Sequence, residues 1–326
     1  YDTLIISVGS TINDFGIEGA AEHAIALDNQ KQAQKFHQKL HNAILRAQTQ
    51  KDEISNGQLE VVIVGAGATG VELAAELHKA TREMTAYGLD KINPDKDIKI
   101  SLIEASDRLL PALPKRMSFS VDRELKKLNV NLYLNERVTN VSESGIQTHT
   151  GRFIPSALVV WAAGIKAPEF LGNLGLKING INQIIVKSTL QSIDDDSIFA
   201  FGDCAACPIK PGAKEAVPPR AQSAHQQASL LVKTMKLLVK KKNYNLPQYS
   251  YKDYGSLVNL GRYSTVGNLM GSLTGGSMFI EGFIARIMYL MLYQMHLMAL
   301  HGITVVSLRL IAKFITRRTE THVKLH

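Results

Sequence analysis

The sequence predicts an α/β fold of doubly wound parallel sheets, closed by a separate helical segment at the C-terminus. Three observations predict it. Short Val- and Ile-rich runs alternate with helical stretches along most of the chain. Several of those runs end on glycine. From residue 282 to residue 316 the composition becomes strongly apolar and Met-rich.

Taken in order, residues 1–11 read as a strand that ends in Val8-Gly9-Ser10-Thr11. Tyr1 opens directly onto this run, so the chain reads as a fragment whose N-terminal part is missing, and no signal peptide is visible. Residues 28–50 read as a helix with the apolar stripe Ala33, Phe36, Leu40, Ala43 and Ile44. A polar connector, Asp52 to Gln58, leads to the run Leu59-Glu60-Val61-Val62-Ile63-Val64, the pattern of a buried strand. A glycine turn and a helix from Val71 to Ala86 follow, and residues 98–103 form the next strand.

The chain has 326 residues, which suggests two domains and a small appendage at roughly 100–200 residues per domain. The net charge of +8 points to an anionic partner, either nucleic acid or a membrane surface. No zinc finger or RNP-like motif supports nucleic acid. Cys204 and Cys207, spaced C-x-x-C, are the only cysteines, which fits a reducing compartment and excludes a disulfide scaffold.

The strongest motif is Gly65-Ala66-Gly67-Ala68-Thr69-Gly70, a G-x-G-x-x-G directly after a strand and directly before a helix. Gly65 permits the tight turn, Gly67 lets backbone approach a pyrophosphate, and Gly70 lets helix and strand pack closely. The helix N-terminus then offers N–H groups to phosphates. The following strand ends at Glu104, whose carboxylate can accept from both hydroxyls of an adenosine ribose and repel a 2′-phosphate, favouring NADH over NADPH. It lies 34 residues after Gly70, farther than usual, and the polar stretch Tyr87 to Asp97 reads as a surface insertion. Arg108 nearby would soften the exclusion of NADPH. The plain reading of Glu104 is an exposed strand-end carboxylate.

Two features add a flavin. The apolar strand Ser197 to Phe201 delivers Gly202-Asp203, where the carboxylate can take a ribitol hydroxyl and the glycine leaves room for a phosphate. Val8-Gly9-Ser10 and Ala162-Ala163-Gly164 bracket the dinucleotide unit. In this order the motifs resemble the two-dinucleotide-binding flavoprotein superfamily. More closely, YDTLIISVGST, VVIVGAGATGVELAAEL, VVWAAGIKAPEFL, SIFAFGDCAACP, PPRAQSAHQQA and MYLMLYQMHLMALHG are similar to the bacterial type II NADH:quinone oxidoreductases. The resemblance runs over essentially the whole chain.

The resemblance implies two Rossmann-like domains, an FAD domain interrupted by an NADH domain, and an amphipathic helical membrane-binding end. It implies an FAD piece over 1–52, an NADH domain over 53–165, a return to the FAD domain with the quinone motif over 166–270, and membrane helices over 271–326. It implies FAD and NAD as cofactors, with electrons passing from NADH to FAD and on to a membrane quinone without proton pumping. The family's N-terminal FAD fingerprint does not precede Tyr1. Gly65, Gly67, Gly70 and Glu104 are then expected at NADH, Gly164 beside the nicotinamide, and Gly9, Gly202 and Asp203 at FAD. Glu72 is expected near the nicotinamide–flavin region, assisting proton movement, with a solvated helix carboxylate as the plain reading. Gln222 and Gln226, four apart on one helix face, are expected to present amides to the flavin edge and a quinone carbonyl, with Ala221 and Ala224 leaving a slot. An ordinary polar helix face is the bland reading of these glutamines, and His225 is structural. The cysteines are either a flavin-coupled dithiol or buried and inert. Two alternatives stay open: a related FAD-dependent pyridine-nucleotide reductase with another acceptor, or a non-catalytic NAD-binding fragment.

The C-terminal run holds 22 residues, Ile287 to Leu308, without Asp, Glu, Lys or Arg. That length spans a bilayer, but a break at Gly302 and the cations Arg309, Lys313, Arg317 and Arg318 favour an in-plane amphipathic helix pair over one spanning helix. A buried core or dimer helix is the other reading. The expected setting is peripheral, on the cytoplasmic face of the bacterial inner membrane, with the lipid surface as partner and homodimerisation left open.

Overall fold

A computed structural model describes residues 2–86, 90–240, 245–261, 264–269 and 278–316. The chain enters through β1 (Leu4–Ile6) and then builds a five-stranded parallel sheet from β2 (Ala24–Ala26), β3 (Glu60–Val64), β4 (Lys99–Ile103), β5 (Asn131–Tyr133) and β6 (Leu158–Trp161). Their spatial order is β2-β6-β3-β4-β5. Every residue of β3 is buried, as a central strand covered on both faces requires. Even Glu60 is buried, and its Oε1 accepts from the Ser101 hydroxyl at 2.6 Å.

Alternation along β3 assigns its two faces. Val61 and Ile63 join a core with the helices α1 (Gln30–Thr49), α2 (Ala68–Thr85) and α3 (Lys115–Lys127), through Phe36, Leu40, Ala74, Val121 and Leu125 among others. Val62 and Val64 pack instead with Val138, Ile146 and Ile154. Those residues belong to a three-stranded antiparallel sheet, Val138–Ser142, Gly145–Thr148 and Phe153–Pro155. So helices cover one face and a small sheet covers the other, where a doubly wound pattern expects helices on both.

The helix expected over 28–50 is α1, capped by Asn29, whose side chain accepts from the Gln32 N–H at 3.0 Å. It falls on the other side of the expected boundary at residue 52. Both β2 and α1 belong to the five-stranded unit, because β2 pairs with β6 and α1 packs into the helical core. Strand β2 is only three residues long and borders a four-residue helix, Ala20–His23, so no periodicity announces it.

The second unit joins distant ends. β1 pairs in parallel with β7 (Ile198–Ala200), Leu4 opposite Ile198 and Ile6 opposite Ala200. Its core holds Ile6, Leu171, Phe199, Cys204, Cys207 and Leu231, the last from α4 (Ala221–Val239). The chain passes from this unit into the five-stranded one and back, and these two crossings lie side by side as the antiparallel pair Thr11–Ile12 and Ile165–Lys166. Trp161 ties them further, its indole N–H donating to the carbonyl oxygens of Asn13 at 3.0 Å and Ala163 at 2.9 Å.

An antiparallel sheet of β8 (Gly255–Leu260), β9 (Ser264–Leu269) and β10 (Met278–Glu281) lays Val258, Leu260 and Val266 into the helical core of the first unit. It straddles the expected boundary at residue 270. Two helices follow, α5 (Phe283–His301) and α6 (Ile303–Thr316), with Gly302 between them at φ +80°. The break falls at the glycine the sequence points to. Arg317, Arg318 and Lys324 lie outside the described residues.

Candidate functional site

The glycine turn sits where β3 meets α2. Gly65 has φ +102°, and a Cβ there would lie 2.7 Å from the Ala163 backbone. A Cβ on Gly70 would lie 1.9 Å from the Gly65 carbonyl oxygen. These two glycines are required by close packing. Gly67 differs, because a Cβ there meets nothing within 4 Å. Gly67 caps α2 without a side-chain bond, and the first helical bond runs from Val71 N–H to the Gly67 carbonyl. Ala68 and Thr69 at the start of α2 are exposed, and their N–H groups, which have no carbonyl one turn earlier in the helix to bond, lie at the positive end of the helix dipole.

Glu104 lies beside this turn and is already engaged. One carboxylate oxygen accepts from the Ala66 N–H at 2.8 Å and the other from the Ser106 N–H at 2.9 Å. A carboxylate has about four acceptor positions, so each oxygen keeps one. Arg108, expected from the sequence to soften the exclusion of NADPH, is engaged elsewhere. Its guanidinium donates to the carbonyl oxygens of Leu110, Pro111 and Leu113 and to the Ser118 hydroxyl.

Gly164, at φ +68°, lies against the ring of Phe15, and a Cβ there would fall 2.4 Å from it. Phe15 is 60% exposed and itself left-handed at φ 55°. Nothing in the sequence marked Phe15.

The pairing of β1 with β7 brings two glycine endings together. Gly9 and Gly202 both have positive φ, +71° and +75°. The Ser10 hydroxyl donates to the Asp203 carboxylate at 3.0 Å. Gln183 donates to the Asp203 carbonyl at 2.9 Å, and the Gly202 N–H donates to Gln227 Oε1 at 2.8 Å. Sequence reasoning missed Ser10, Gln183 and Gln227. Gln227 was within reach: it stands three after Ala224, whose Cβ lies 3.6 Å from where a Gly202 Cβ would be, so helical spacing puts both on one face.

Gln222 and Gln226 share another face of α4, and their amides are taken. Gln222 donates to Asp253 and to the Gly255 carbonyl, and accepts from the Tyr254 N–H. Gln226 donates to the Lys252 carbonyl at 2.8 Å and accepts from the Lys252 N–H at 3.1 Å. Together they lash residues 252–255 to the helix as a short strand would. His225 is exposed, and its ring meets His296 of α5 edge-on with centroids 5.7 Å apart.

Glu72 is neither solvated nor turned to open space. It is half-buried, accepts from the Asn259 N–H of β8 at 2.8 Å, and its pKa is raised above the usual carboxylate range, first by burial and also by Glu76. Gly255 and Asn259 lie on one strand, so Glu72 and Gln222 are separated by four residues of β8, roughly 13 Å. Cys204 and Cys207 are buried free thiols. Burial pushes Cys204 up and Cys207 up to about 12. No group of three or more metal-ligating side chains occurs among the described residues.

Helices α5 and α6 carry many exposed apolar side chains. Only 6% of the apolar window of α5 is buried, and its mean hydropathy is 1.4. Phe283, Ile284, Met291, Leu300, Ile303, Leu308 and Ile315 are each more than 60% exposed. α5 and α6 turn their apolar residues outward, with Arg309 and Lys313 on the second helix.

Known proteins share this layout. Residues 1–228 match the family described as pyridine nucleotide-disulphide oxidoreductase. The chain is 39% identical, over 339 aligned positions, to a type II NADH:quinone oxidoreductase of Haemophilus influenzae, covering all of this chain and 75% of that protein. A type II NADH:quinone oxidoreductase of Staphylococcus aureus is 26% identical, over 85% of this chain and 67% of its own length. The structure of NDH2 from Plasmodium falciparum in complex with NADH superposes with a TM-score of 0.80 at 22% identity, covering 96% of this chain and 78% of that one, and shares the fold.

Proposed function

The chain belongs to the pyridine nucleotide-disulphide oxidoreductase family, and within it to the type II NADH:quinone oxidoreductases; from that premise we propose how its residues serve the transfer of electrons from NADH to a quinone. The enzyme is a flavoprotein with FAD and NAD as cofactors. When bound, the flavin supplies the ring that accepts the hydride, so the protein's task is to bind, orient and exclude water.

The observation that carries the reading is the open Gly67 position at an uncapped helix N-terminus, beside Glu104. Gly65, Gly67 and Gly70 hold the NADH pyrophosphate, and the free acceptor positions of Glu104 take the adenosine ribose. Gly164 borders the nicotinamide, with the exposed Phe15 ring lying against it. For the flavin, Gly9 and Gly202 leave room that a side chain would fill, and Asp203, oriented by Ser10, takes a ribitol hydroxyl. These residues fit the two cofactors.

On the acceptor side Gln222 and Gln226 work by position. Their amides hold residues 252–255 against α4, and Ala221 and Ala224 shape the slot for a flat ring. Glu72, at the far end of β8, holds or releases a proton near the reduced acceptor. The 1–52, 53–165, 166–270 and 271–326 division is retained as a functional scheme, with residues 24–49 moved to the NADH unit. Enzymes of this kind are membrane-associated; α5 and α6 are the docking surface, lying in the interface of the cytoplasmic leaflet. The absence of proton pumping completes the proposal.

Half-reactions test it. NADH should bleach the visible absorbance of the bound flavin, and a quinone should restore it. Gln226→Leu should slow the second step and spare the first. If both steps proceed unchanged, the acceptor assignment is wrong; if NADH does not bleach the flavin, the donor assignment is.

A further inference from the structure

The segment after β4 holds the glycine turn in a grip that its sequence does not announce. Ala66 is fully buried between Gly65 and Gly67. Its N–H donates to Glu104 at 2.8 Å, and its carbonyl accepts from the Leu110 N–H at 2.8 Å. Both backbone groups of the residue at the middle of the pyrophosphate turn are therefore fixed by residues 104–110. Leu110 adopts a left-handed conformation at φ 51°, which a leucine holds only when its surroundings compel it. Leu109 and Leu110 are both buried.

Arg108 grips this segment from the other side. The guanidinium donates to the Leu110 carbonyl at 3.3 Å, the Leu113 carbonyl at 2.8 Å, the Ser118 hydroxyl at 2.7 Å and the Pro111 carbonyl. Arginine has five N–H donors in a rigid fork and no acceptor, so it suits a ring of converging carbonyls. Ser118 lies on α3, and the cage thus joins the loop to the first turn of that helix. Arg108 is the one cation between Glu104 and Leu113; the other charged groups there are Glu104 and Asp107.

Resting on the NADH-site reading above, we propose that Arg108 is a positioning residue for the dinucleotide: it locks residues 104–113, and through Glu104 and Leu110 it sets the shape of the glycine turn. The same cage withdraws the loop's one cation from the adenosine-ribose end. A 2′-phosphate arriving there meets the Glu104 carboxylate and not the Arg108 guanidinium. Discrimination against NADPH thus has two parts, an acidic residue in place and a basic residue occupied elsewhere.

The experiment uses Trp161, the single tryptophan, buried in β6 of the same unit. Its emission overlaps the absorption of reduced nicotinamide, so titration of the full chain with NADH or NADPH reads binding without relying on turnover. Arg108→Gln is expected to weaken NADH and NADPH alike, by roughly ten-fold, because a pre-shaped turn is lost while no nucleotide contact is. With a soluble dye as acceptor, KM for NADH should rise and kcat at saturation should hold. Ser118→Ala, which removes one wall of the cage and leaves the guanidinium, should weaken both nucleotides about two-fold. Arg108→Lys should restore little, since an ammonium cannot span the carbonyls. Selective loss of NADPH binding in Arg108→Gln would mean the guanidinium reaches the 2′-phosphate and overturns the proposal, as would an unchanged affinity for NADH. If Arg108→Gln shows no cooperative melting, Ser118→Ala decides alone. Absence of any NADH signal in the unaltered chain sinks the NADH site itself, a different failure from an NADH signal indifferent to Arg108.

Discussion

The two ends of the proposed electron path are built in opposite ways. The NADH side is assembled from neighbours in sequence: glycine turn, helix and acidic strand end fall within 38 residues of one another, from Ala66 to Glu104. The FAD side is assembled from strangers, since Ser10 and Asp203 meet across 193 positions. A local site must have its chemistry in a contiguous motif, because a tight turn and a helix start impose their residues directly. A site made by long-range pairing imposes only that two strands end together. That constraint leaves weak marks, such as a glycine at each strand end.

The largest expected effect tests the first half of this contrast. Gly70→Val puts a side chain onto the Gly65 carbonyl and should cost about 3 kcal/mol or more in chemical denaturation. Gly67→Ala should leave the same denaturation curve nearly unchanged, since the added methyl meets nothing, yet reduce NADH binding at least about ten-fold by obstructing the pyrophosphate. If Gly67→Ala binds NADH normally, the open space beside it is not where the nucleotide lies, and the local motif has lost its meaning. The matching pair on the FAD side, Gly9→Ala and Gly202→Ala, carries backbone strain at positive φ and so cannot separate folding from binding so cleanly.

The same asymmetry governs what the sequence made legible. The buried β3, the helix α1 with its stripe from Phe36 to Ile44 (Ala33 is exposed), the turn and the break at Gly302 follow from spacing of residue types close together. Strand β2, three residues at an edge, does not, and its true partner β6 lies more than 130 positions later. The amides of Gln222 and Gln226 share a helix face as their spacing requires, but what that face meets is residues 252–255, which no helical period reveals. Glu72 is a similar case: its place on α2 is plain, while its contact with Asn259 depends on a strand nearly two hundred residues away.

A second test opposes the two regions by pH. His78, buried in α2, is lowered to about 4, first by burial and then by Arg82, and so stays neutral in the folded state. Below its ordinary 6.5 the unfolded chain takes up a proton that the folded chain refuses. Stability from this group is present above 6.5 and is lost as pH falls toward 4, by on the order of 2 kcal/mol. His78→Gln should flatten the acid side of the stability profile. On the FAD side Cys207 and Tyr249 are both raised by burial, so the unfolded chain ionises first and stability falls as pH rises above roughly 9. Should His78→Gln keep the full acid slope, the loss comes from carboxylates, and the contrast between the units disappears.

The third effect is smaller and concerns selectivity. Glu104→Gln should narrow the preference for NADH over NADPH about ten-fold in kcat/KM, by removing the charge that repels a 2′-phosphate. It should also cost about 1 kcal/mol of stability, since an amide keeps only one of the two acceptors now used by Ala66 and Ser106. A loss of stability with unchanged selectivity would leave Glu104 as a brace for the turn and remove it from the ribose.

The smallest expected effect belongs to the cysteines, which lie in the FAD-side core directly after the turn that carries Asp203. Their spacing and position invite a flavin-coupled dithiol. Their surroundings argue the reverse. Both are buried, and the Cys204 thiol donates weakly to the Phe201 carbonyl at 3.3 Å while that of Cys207 lies 3.5 Å from the Pro208 carbonyl. With Cys207 held up to about 12 by burial, its thiolate is scarcer at neutral pH than that of a free cysteine, and thiolate is the reactive form. Neither thiol has a cation beside it among its shifting influences, the usual way a reactive cysteine is made. Cys204→Ala and Cys207→Ala should therefore leave flavin reduction by NADH and reoxidation by quinone within about two-fold of the unaltered protein, with at most about 1 kcal/mol lost to the small cavity. A thiol reagent should find neither sulfur in the folded protein and both after denaturation. Rapid modification of the folded protein, or formation of a disulfide when the reduced flavin is reoxidised, would place the pair on the electron path, and the FAD side would then hold a local motif as legible as the glycine turn.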